Sequence, residues 1–157
     1  MRYVHESHIA APPSAVFAFH ESPEALARLV PPWEDVEVVR PPSSLAPGTR
    51  VVLRMRVGPW SLSWEAEHTR YERDALFQDR MVRGPFRSWV HTHRFLPERG
   101  GTLLRDEVEY QLPIFALPGA ALVRARLRRM FEYRHRVTEA EVTAALQRRK
   151  EADRFPP

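Results

Sequence analysis

The stretch GPFRSWVHTHRF, residues 84–95, carries the pattern that decides the fold. Read as a β-strand, it places alternate side chains on opposite faces of a sheet, because the side-chain period of a strand is two residues. One face then holds Trp89, His91, His93 and Phe95. Two histidines between large aromatic rings are unusual both for an apolar core and for a solvent-facing surface. This face is therefore the first candidate for a functional surface.

Strands with similar alternation surround this stretch, and a long helix follows them. The pattern predicts a first strand at 2–9 and then two short helices, the second with Ser22 as its N-cap. Further strands are predicted at 36–40, 50–57, 60–71, 76–83 and 102–112. Short connections such as Gly58-Pro59 favour an antiparallel meander. The closing helix, at about 118–150, has an apolar stripe of Val123, Leu127, Met130, Phe131 and Val137. The sequence therefore predicts one domain, residues 1–157, of the α+β class.

The lengths of the turns predict which inward residues lie opposite each other, because turn length fixes strand register. The predicted pairs are Val57 and Trp60, Leu53 and Trp64, Ala66 and Met81, His68 and Asp79, Asp79 and His91, Phe95 and Leu104, His93 and Asp106, and Trp89 and Tyr110. The inward face then gathers acid and base groups among apolar side chains: His68, Asp79, His91, His93 and Asp106. Arg134 of the long helix falls inside the apolar stripe and is expected to face them.

Three interpretations of this His/Asp group are open. It is a buried structural network, because buried polar groups are normally paired; or it is the polar end of an otherwise apolar ligand pocket. The third interpretation is catalysis or metal binding, since an Asp beside a His resembles a general-base pair and a His-x-His strand with a carboxylate can bind a metal. The spacing demands neither, so we assign no catalytic residue, no metal ligand and no cofactor.

Large aromatic residues share the inward face with this group, and they are either core or cavity lining. They are Trp60, Trp64, Phe77, Trp89, Phe95 and Tyr110. A core composed only of these residues is the simpler interpretation. A long meander that wraps around one helix encloses more volume than a flat sheet, which favours a cavity.

Composition restricts the possible functions. The chain has no cysteine, which rules out disulfides and thiolate chemistry. The net charge of +4 is modest, and the arginines of the closing helix fit a solvated helix face, so we expect no nucleic-acid partner. The longest uncharged run, 110–123, is too short for a transmembrane helix. With no signal-peptide pattern at the start, we expect a cytoplasmic protein, monomeric or homodimeric.

Three motifs resemble a known family: GPFRSWVHTHRF, GGTLLRDEVEYQLP (100–113) and FEYRHR (131–136). In this order, over essentially the whole chain, they resemble the polyketide cyclase/dehydrase-like bacterial branch of the START and birch-pollen-allergen superfamily, also called SRPBCC. The resemblance implies the helix-grip fold, a curved antiparallel sheet of about seven strands wrapped around a long C-terminal helix. It also implies binding of hydrophobic molecules such as lipids, sterols or polyketides between sheet and helix. An epimerase-like protein partner is a further implication.

The resemblance and the strand pattern together predict a carrier or sensor that binds a hydrophobic small molecule in an internal cavity. The predicted ligand-binding residues are Trp64, His68, Phe77, Asp79, Met81, Trp89, His91, His93, Phe95, Asp106, Tyr110, Met130 and Arg134. The segment LPIFALPGAALV, residues 112–123 and here called the lid segment, is expected either at the cavity mouth or packed on the core. One alternative is a cyclase or dehydratase that uses an Asp–His acid/base pair. Another is an interaction module whose Arg124 and Arg128 bind an anionic partner.

Overall fold

The computed structural model describes residues 1–154, with Val57 described by its backbone alone. Its strands are β1 (Arg2–Ile9), β2 (Val36–Arg40), β3 (Arg50–Val57), β4 (Trp60–Glu72), β5 (Leu76–Arg83), β6 (Ser88–Glu98) and β7 (Gly101–Gln111). They form one antiparallel sheet in the order β1-β7-β6-β5-β4-β3-β2. Helices α1 (Pro13–Glu21) and α2 (Ala25–Arg28) follow β1, and a 3₁₀ helix (Ile114–Gly119) leads into α3 (Ala120–Arg154). The predicted helix-grip arrangement is confirmed.

The predicted registers are confirmed around the His/Asp group. His93 lies opposite Asp106 on β6 and β7, and Asp79 lies opposite His91 on β5 and β6. His68 lies opposite Asp79 as predicted, although the turn between β4 and β5 is one residue shorter than expected. A bulge between His68 and Arg70 compensates for the shorter turn. The shorter turn and the bulge therefore offset each other, and the register at His68 and Asp79 is the predicted one.

The turn between β6 and β7 fixes the most important register. Glu98 pairs with Gly101, so Arg99 and Gly100 alone form the loop. Gly100 has φ +76°, a conformation that two-residue hairpin loops need and that residues with a Cβ rarely adopt. This tight turn aligns β6 with β7 over their full length, which places Trp89 opposite Tyr110.

The helices differ from the sequence expectation in two details. Ser22 ends α1 in an extended conformation, and α2 begins later, at Ala25. The buried stripe of α3 is Leu127, Phe131, His135, Thr138 and Val142, whereas Val137 is only partly buried. These residues follow one another at steps of four, four, three and four, so the stripe is helical but includes two polar residues. A prediction based on apolar side chains alone therefore does not include His135 and Thr138.

Two apolar clusters fill the space between the sheet and the helices. The closed cluster includes Ile9, Val16, Phe17, Phe77, Phe95, Leu104 and Val142. The lid-side cluster includes Tyr3, Trp89, Val108, Tyr110, Leu112, Leu127 and Phe131, with Trp64, Met81, Phe86 and Met130 packed against it. The His/Asp group lies between them along β6 and β7, since His91 and His93 separate Trp89 from Phe95.

None of the helices within residues 1–154 combines the length and the hydropathy that a bilayer-spanning segment requires.

Candidate functional site

Asp106 of β7 is the centre of the site. Its side chain is buried between the sheet and α3, and it receives histidine contacts on both carboxylate oxygens. His91 Nε2 lies 2.9 Å from Oδ1, and His135 Nε2 lies 2.7 Å from Oδ2. His93 Nδ1 lies 2.6 Å from Oδ1. Three imidazole rings from β6 and α3 therefore converge on one carboxylate.

These contacts decide the ionisation of Asp106. Burial raises the pKa of a carboxyl group, but the charge of His93 and the hydrogen bonds from His135, His91 and His93 outweigh burial and hold the pKa of Asp106 well below its usual value. Burial, together with neighbouring His91, lowers the pKa of His93 well below that of a free histidine. Asp106 is therefore held in its ionised form, in which both carboxylate oxygens accept from the surrounding imidazoles.

Asp79 of β5 supplies a second carboxylate on the other side of the two β6 histidines. Its Oδ2 lies 3.6 Å from His91 Nδ1 and 3.9 Å from His93 Nε2. Burial raises the pKa of Asp79, against the opposing effect of His91 and His68. His91 and His93 thus lie between two carboxyl groups, that of Asp106 with a lowered pKa and that of Asp79 with a raised pKa.

His68 and Arg134 lie beside this arrangement rather than inside it. Burial lowers the pKa of His68, whose Nδ1 has no hydrogen-bond partner among the described residues. Arg134 donates from Nε to the carbonyl oxygen of Leu29 at 3.2 Å, and its guanidinium lies 5.6 Å from the centre of the Phe131 ring. Burial lowers the pKa of Arg134, although Asp106 and Asp79 oppose the effect. Arg134 forms no ion pair within 4.0 Å of either carboxylate in the part of the chain that the structure describes.

Three histidines of this region were not predicted from the sequence. His135 of α3 bridges Asp106 and Ser7, whose Oγ lies 2.7 Å from His135 Nδ1. His5 of β1 packs edge-on against His135, with ring centres 4.4 Å apart. His20 of α1 is buried and bonds through Nδ1 to the carbonyl oxygen of Val16. His135 could have been found, because it lies four residues after the apolar Phe131 on the same helix face.

Aromatic side chains form the wall of the site towards the lid segment. Trp64 and Trp89 meet edge-on at 5.1 Å, and Phe86 lies 5.0 Å from Trp89 and 5.8 Å from Tyr110. Met81 and Met130 are partly buried against the same cluster. Gly84 fits close to this wall, since a Cβ there would lie 2.4 Å from the sulfur of Met81. The structure thus brings together five predicted lining residues, Trp64, Met81, Trp89, Tyr110 and Met130, and adds Phe86, which was not predicted.

Three other aromatic residues have different positions. Phe77 stacks on His93 with ring centres 4.0 Å apart, and Phe95 is buried in the closed cluster. Both therefore support the histidines from the side away from the lid segment. Trp60 is 68% exposed, so its assignment to the core was wrong. Its strand parity is right, but it is the first residue of β4, directly after the turn that joins β3 and β4.

The lid segment exposes apolar side chains. Ile114 is 78% exposed, Phe115 86% and Leu122 75%, and the 3₁₀ helix has no buried residue. Its flanks are anchored, because Leu112 is buried and Ala116 packs against the lid-side cluster. The segment was expected either at the cavity mouth or packed on the core. Packing on the core is observed only at the anchoring residues Leu112 and Ala116.

Two surface clefts flank α3. One, of about 430 Å³, lies between β1 and α3 and is lined by Tyr3, Val4, His5, Ala121, Arg124, Ala125, Arg128 and Glu132. The other, of about 370 Å³, lies between α1 and the C-terminal half of α3. The aromatic wall lines neither cleft, and the lid segment contributes only Ala121 to the first, so neither cleft is the internal cavity that was expected between the sheet and α3.

Comparisons with known proteins agree with this architecture. The family model for polyketide cyclase / dehydrase and lipid transport matches residues 9–134. Comparison with curated proteins finds no significant match. Among solved structures, TTHA0849 from Thermus thermophilus is similar, with 25% identity and a TM-score of 0.72 over 92% of this chain and 99% of that one.

Two further solved structures show how the fold occurs within longer proteins. A nucleoside-diphosphate sugar epimerase from Corynebacterium glutamicum is 26% identical with a TM-score of 0.70, over 90% of this chain but 29% of that one. The di-domain ARO/CYC StfQ of the steffimycin biosynthetic pathway is 12% identical with a TM-score of 0.72, over 93% of this chain and 52% of that one. The second likeness concerns the fold alone.

Proposed function

Because the chain belongs to the polyketide cyclase/dehydrase and lipid transport family, we propose that it binds a hydrophobic small molecule between its sheet and α3, as a carrier or sensor. The observation that supports this proposal is the exposed apolar lid segment above a partly buried aromatic wall. Folded proteins seldom expose clusters of large apolar side chains without a binding role. Ile114 and Phe115 would guide the ligand, and Trp64, Phe86 and Trp89 would contact it.

The ligand would displace flexible or partly buried side chains rather than enter a preformed hole. Met81 and Met130 are the side chains best suited to move, because methionine is unbranched and adapts to irregular surfaces. Burial of apolar ligand surface would supply the affinity, at about 25 cal/mol per Å². The polar end of the ligand would meet His91, His93 and Asp79, with Arg134 nearby, so a carbonyl, hydroxyl or carboxylate group is favoured.

Quenching of tryptophan fluorescence by a brominated fatty acid tests where the ligand binds. The four tryptophans divide into Trp64 and Trp89 on the wall and Trp33 and Trp60 away from it. In a variant with Trp33→Phe and Trp60→Phe, saturable quenching at one ligand per chain supports the proposal. Quenching that disappears in this variant but is present in the wild type would place the lipid on the surface and refute the proposal.

Native mass spectrometry and organic extraction of freshly purified protein would identify the ligand class. The role of Arg134 can be examined in the same way with two probes of equal chain length, a fatty acid and a fatty alcohol. We expect Arg134→Ala to weaken binding of the fatty acid more than binding of the fatty alcohol. Arg128→Ala, on the exposed face of α3, is expected to change the binding of neither probe. Equal losses of both probes in Arg134→Ala would count against an orienting role.

Acid/base catalysis is the second candidate function, and the pair formed by Asp79 and His91 favours it. A carboxyl group with a raised pKa beside a histidine suits proton transfer. A cyclase or dehydratase acting on a polyketide-like substrate would show a bell-shaped dependence of rate on pH. That profile would disappear in His91→Ala or His93→Ala. A cytoplasmic location, a monomeric or homodimeric state and an epimerase-like partner stay predictions.

A further inference from the structure

Three potential metal-binding atoms converge at the Asp79 side of the site. They are Asp79 Oδ2, His91 Nδ1 and His93 Nε2, and all three lie within 4.8 Å of one another. The carboxylate oxygen lies 3.6 Å from the first nitrogen and 3.9 Å from the second, and neither distance is a hydrogen bond. His91 and His93 are buried, and Asp79 is mostly buried.

Asp106 determines which nitrogen of each ring carries the proton. His91 directs Nε2 towards Asp106 Oδ1 at 2.9 Å, and His93 directs Nδ1 towards the same oxygen at 2.6 Å. A carboxylate accepts protons only, so in a neutral ring the proton lies on the nitrogen that faces Asp106. The other nitrogen of each ring then presents its lone pair towards Asp79.

Electron-pair donors thus face one another without a shared hydrogen. Asp79 Oδ2, His91 Nδ1 and His93 Nε2 can each offer an electron pair to a cation placed between them. Arg134 of α3 donates its Nε proton to the Leu29 carbonyl oxygen. Among residues 1–154, it makes no ion pair with Asp79 within 4.0 Å.

We propose that these three residues bind a divalent transition-metal ion, with Zn²⁺ as the reference ion and Asp106 as the outer partner of both histidines. Two imidazole nitrogens and one carboxylate oxygen are a donor set that suits zinc and the neighbouring first-row ions. Metal-bound histidines commonly donate their second N–H to a carboxylate, as His91 does here to Asp106, and His93 Nδ1 lies 2.6 Å from the same oxygen. The site goes beyond the proposed binding of a hydrophobic molecule and does not depend on it.

The two distances from Asp79 to the histidine nitrogens are close to the spacing that a bound ion requires. Zn–N bonds of about 2.0–2.1 Å in a tetrahedral arrangement place neighbouring ligand atoms about 3.4 Å apart. The two distances from Asp79 exceed this value by a few tenths of an ångström. The rings are already oriented, since Phe77 stacks on His93 and Phe131 meets His91 edge-on. Three protein ligands leave one position open for water or a ligand, on the pattern of catalytic zinc sites.

Cobalt absorption provides the direct test on the unmodified full chain. The protein is first dialysed against EDTA and then titrated with Co²⁺ alone, whose visible absorption reports ligands and coordination number. We expect bands of a four- or five-coordinate ion that saturate at one ion per chain and disappear when Zn²⁺ is added. An absorption spectrum that stays that of hexaaqua Co²⁺, together with an unchanged melting temperature in Zn²⁺, overturns the proposal.

Paired variants assign the ligands. Asp79→Asn keeps the shape of the side chain and is expected to weaken Zn²⁺ binding by more than the roughly 10–100-fold that loss of an outer partner costs. His93→Gln is the second ligand variant. The matched controls are Glu67→Gln on β4, whose carboxylate pairs with Arg50 and Arg80, and the exposed His8→Gln on β1. Unchanged affinity in Asp79→Asn, or loss of binding in His8→Gln, would refute the assignment whether or not a lipophile binds.

Discussion

The closed cluster and the lid-side cluster lie on opposite sides of the same histidines, and they differ in composition and in packing. The closed cluster is aliphatic and phenylalanine-rich, and Val16, Phe17 and Phe95 are almost completely buried. The lid-side cluster contains tryptophan and tyrosine, and Trp64, Phe86 and Met130 at its border are only partly buried. Tight packing is expected where stability is the only requirement.

This difference shows how one interior can serve two purposes. Tryptophan and tyrosine combine a large apolar surface with a polar atom, so they tolerate both a ligand and solvent at their edges. The exposed lid segment continues the lid-side cluster, whereas α1 covers the closed cluster. The closed cluster therefore provides the rigid support for the histidines, and the lid-side cluster provides the adaptable surface.

The largest expected effect is the loss of stability in Phe17→Ala. This ring is fully buried and lies 5.0 Å from Phe95 and 5.6 Å from Tyr71. Its removal leaves a cavity, and we expect the free energy of unfolding in urea to fall by about 3–5 kcal/mol. Phe86→Ala, in the lid-side cluster, should cost about 1–2 kcal/mol because part of that ring is already exposed.

Lipid binding should respond in the opposite order. Phe86→Ala is expected to lower the affinity for the brominated fatty acid. Phe17→Ala, measured at a temperature at which this variant is folded, is expected to bind the fatty acid normally. Equal losses of stability in the two variants, or unchanged binding in Phe86→Ala, would remove the distinction between the clusters.

The second effect is acid destabilisation through His20, at the border of the closed cluster. Burial lowers the pKa of His20 to about 4 from 6.5. The groups around it are His93 of β6, Asp106 of β7, and Arg134 and His135 of α3. Between pH 6.5 and 4 the unfolded chain binds a proton that the folded chain refuses, so stability is complete above pH 6.5 and falls as the pH decreases. The loss is about 3 kcal/mol in total.

Urea unfolding at pH 7 and pH 4.5, both with EDTA present, measures this contribution. His20→Phe keeps an aromatic ring beside Phe77 and Phe95, and it should reduce the difference between the two pH values by about 2–3 kcal/mol. His5, His68 and His93 also have lowered pKa values, so part of the acid sensitivity should persist. Phe17→Leu on the same helix, whose ring contacts are with Tyr71, Phe77 and Phe95, should lower stability equally at both pH values. The same pH dependence in His20→Phe and wild type would contradict the prediction.

Much of the fold could be predicted because strand parity and turn length are local properties. The pairing of His93 with Asp106 followed from the period of two residues and from the connection between β6 and β7. The start of α2 was predicted only approximately: Ser22 has the extended conformation of an N-cap and its carbonyl oxygen accepts from the Ala25 N–H, but the regular α-helix begins only at Ala25. Tertiary packing overrides local preference in such short helices.

The site was predicted only in part, because its centre depends on contacts between distant segments. Strand pattern brought Asp79, His91, His93 and Asp106 together, since all four lie on neighbouring strands. His135 reaches Asp106 from α3, and no local pattern links the two residues. Arg134 was expected to face the carboxylates because it falls inside the apolar stripe. Burial lowers its pKa and Asp106 and Asp79 do raise it, but its Nε donates to the Leu29 carbonyl oxygen, a contact that no local pattern shows.

The smallest effect on stability is expected for Phe115→Ser in the lid segment. Its ring is 86% exposed, so the free energy of unfolding should change by less than about 0.5 kcal/mol. If the lid segment guides a hydrophobic molecule to the aromatic wall, the same variant should take up the brominated fatty acid from vesicles more slowly. Stopped-flow tryptophan quenching measures that rate.

Leu96→Ser is the matched control, because Leu96 is also an exposed apolar residue but lies at the opposite end of β6. Slower uptake in Phe115→Ser and normal uptake in Leu96→Ser would assign ligand entry to the lid-side cluster. Equal rates in both variants and the wild type would show that the exposed ring of Phe115 does not take part in ligand entry. The closed cluster and the lid-side cluster would then differ in packing alone, because the lid segment would have no role in ligand entry.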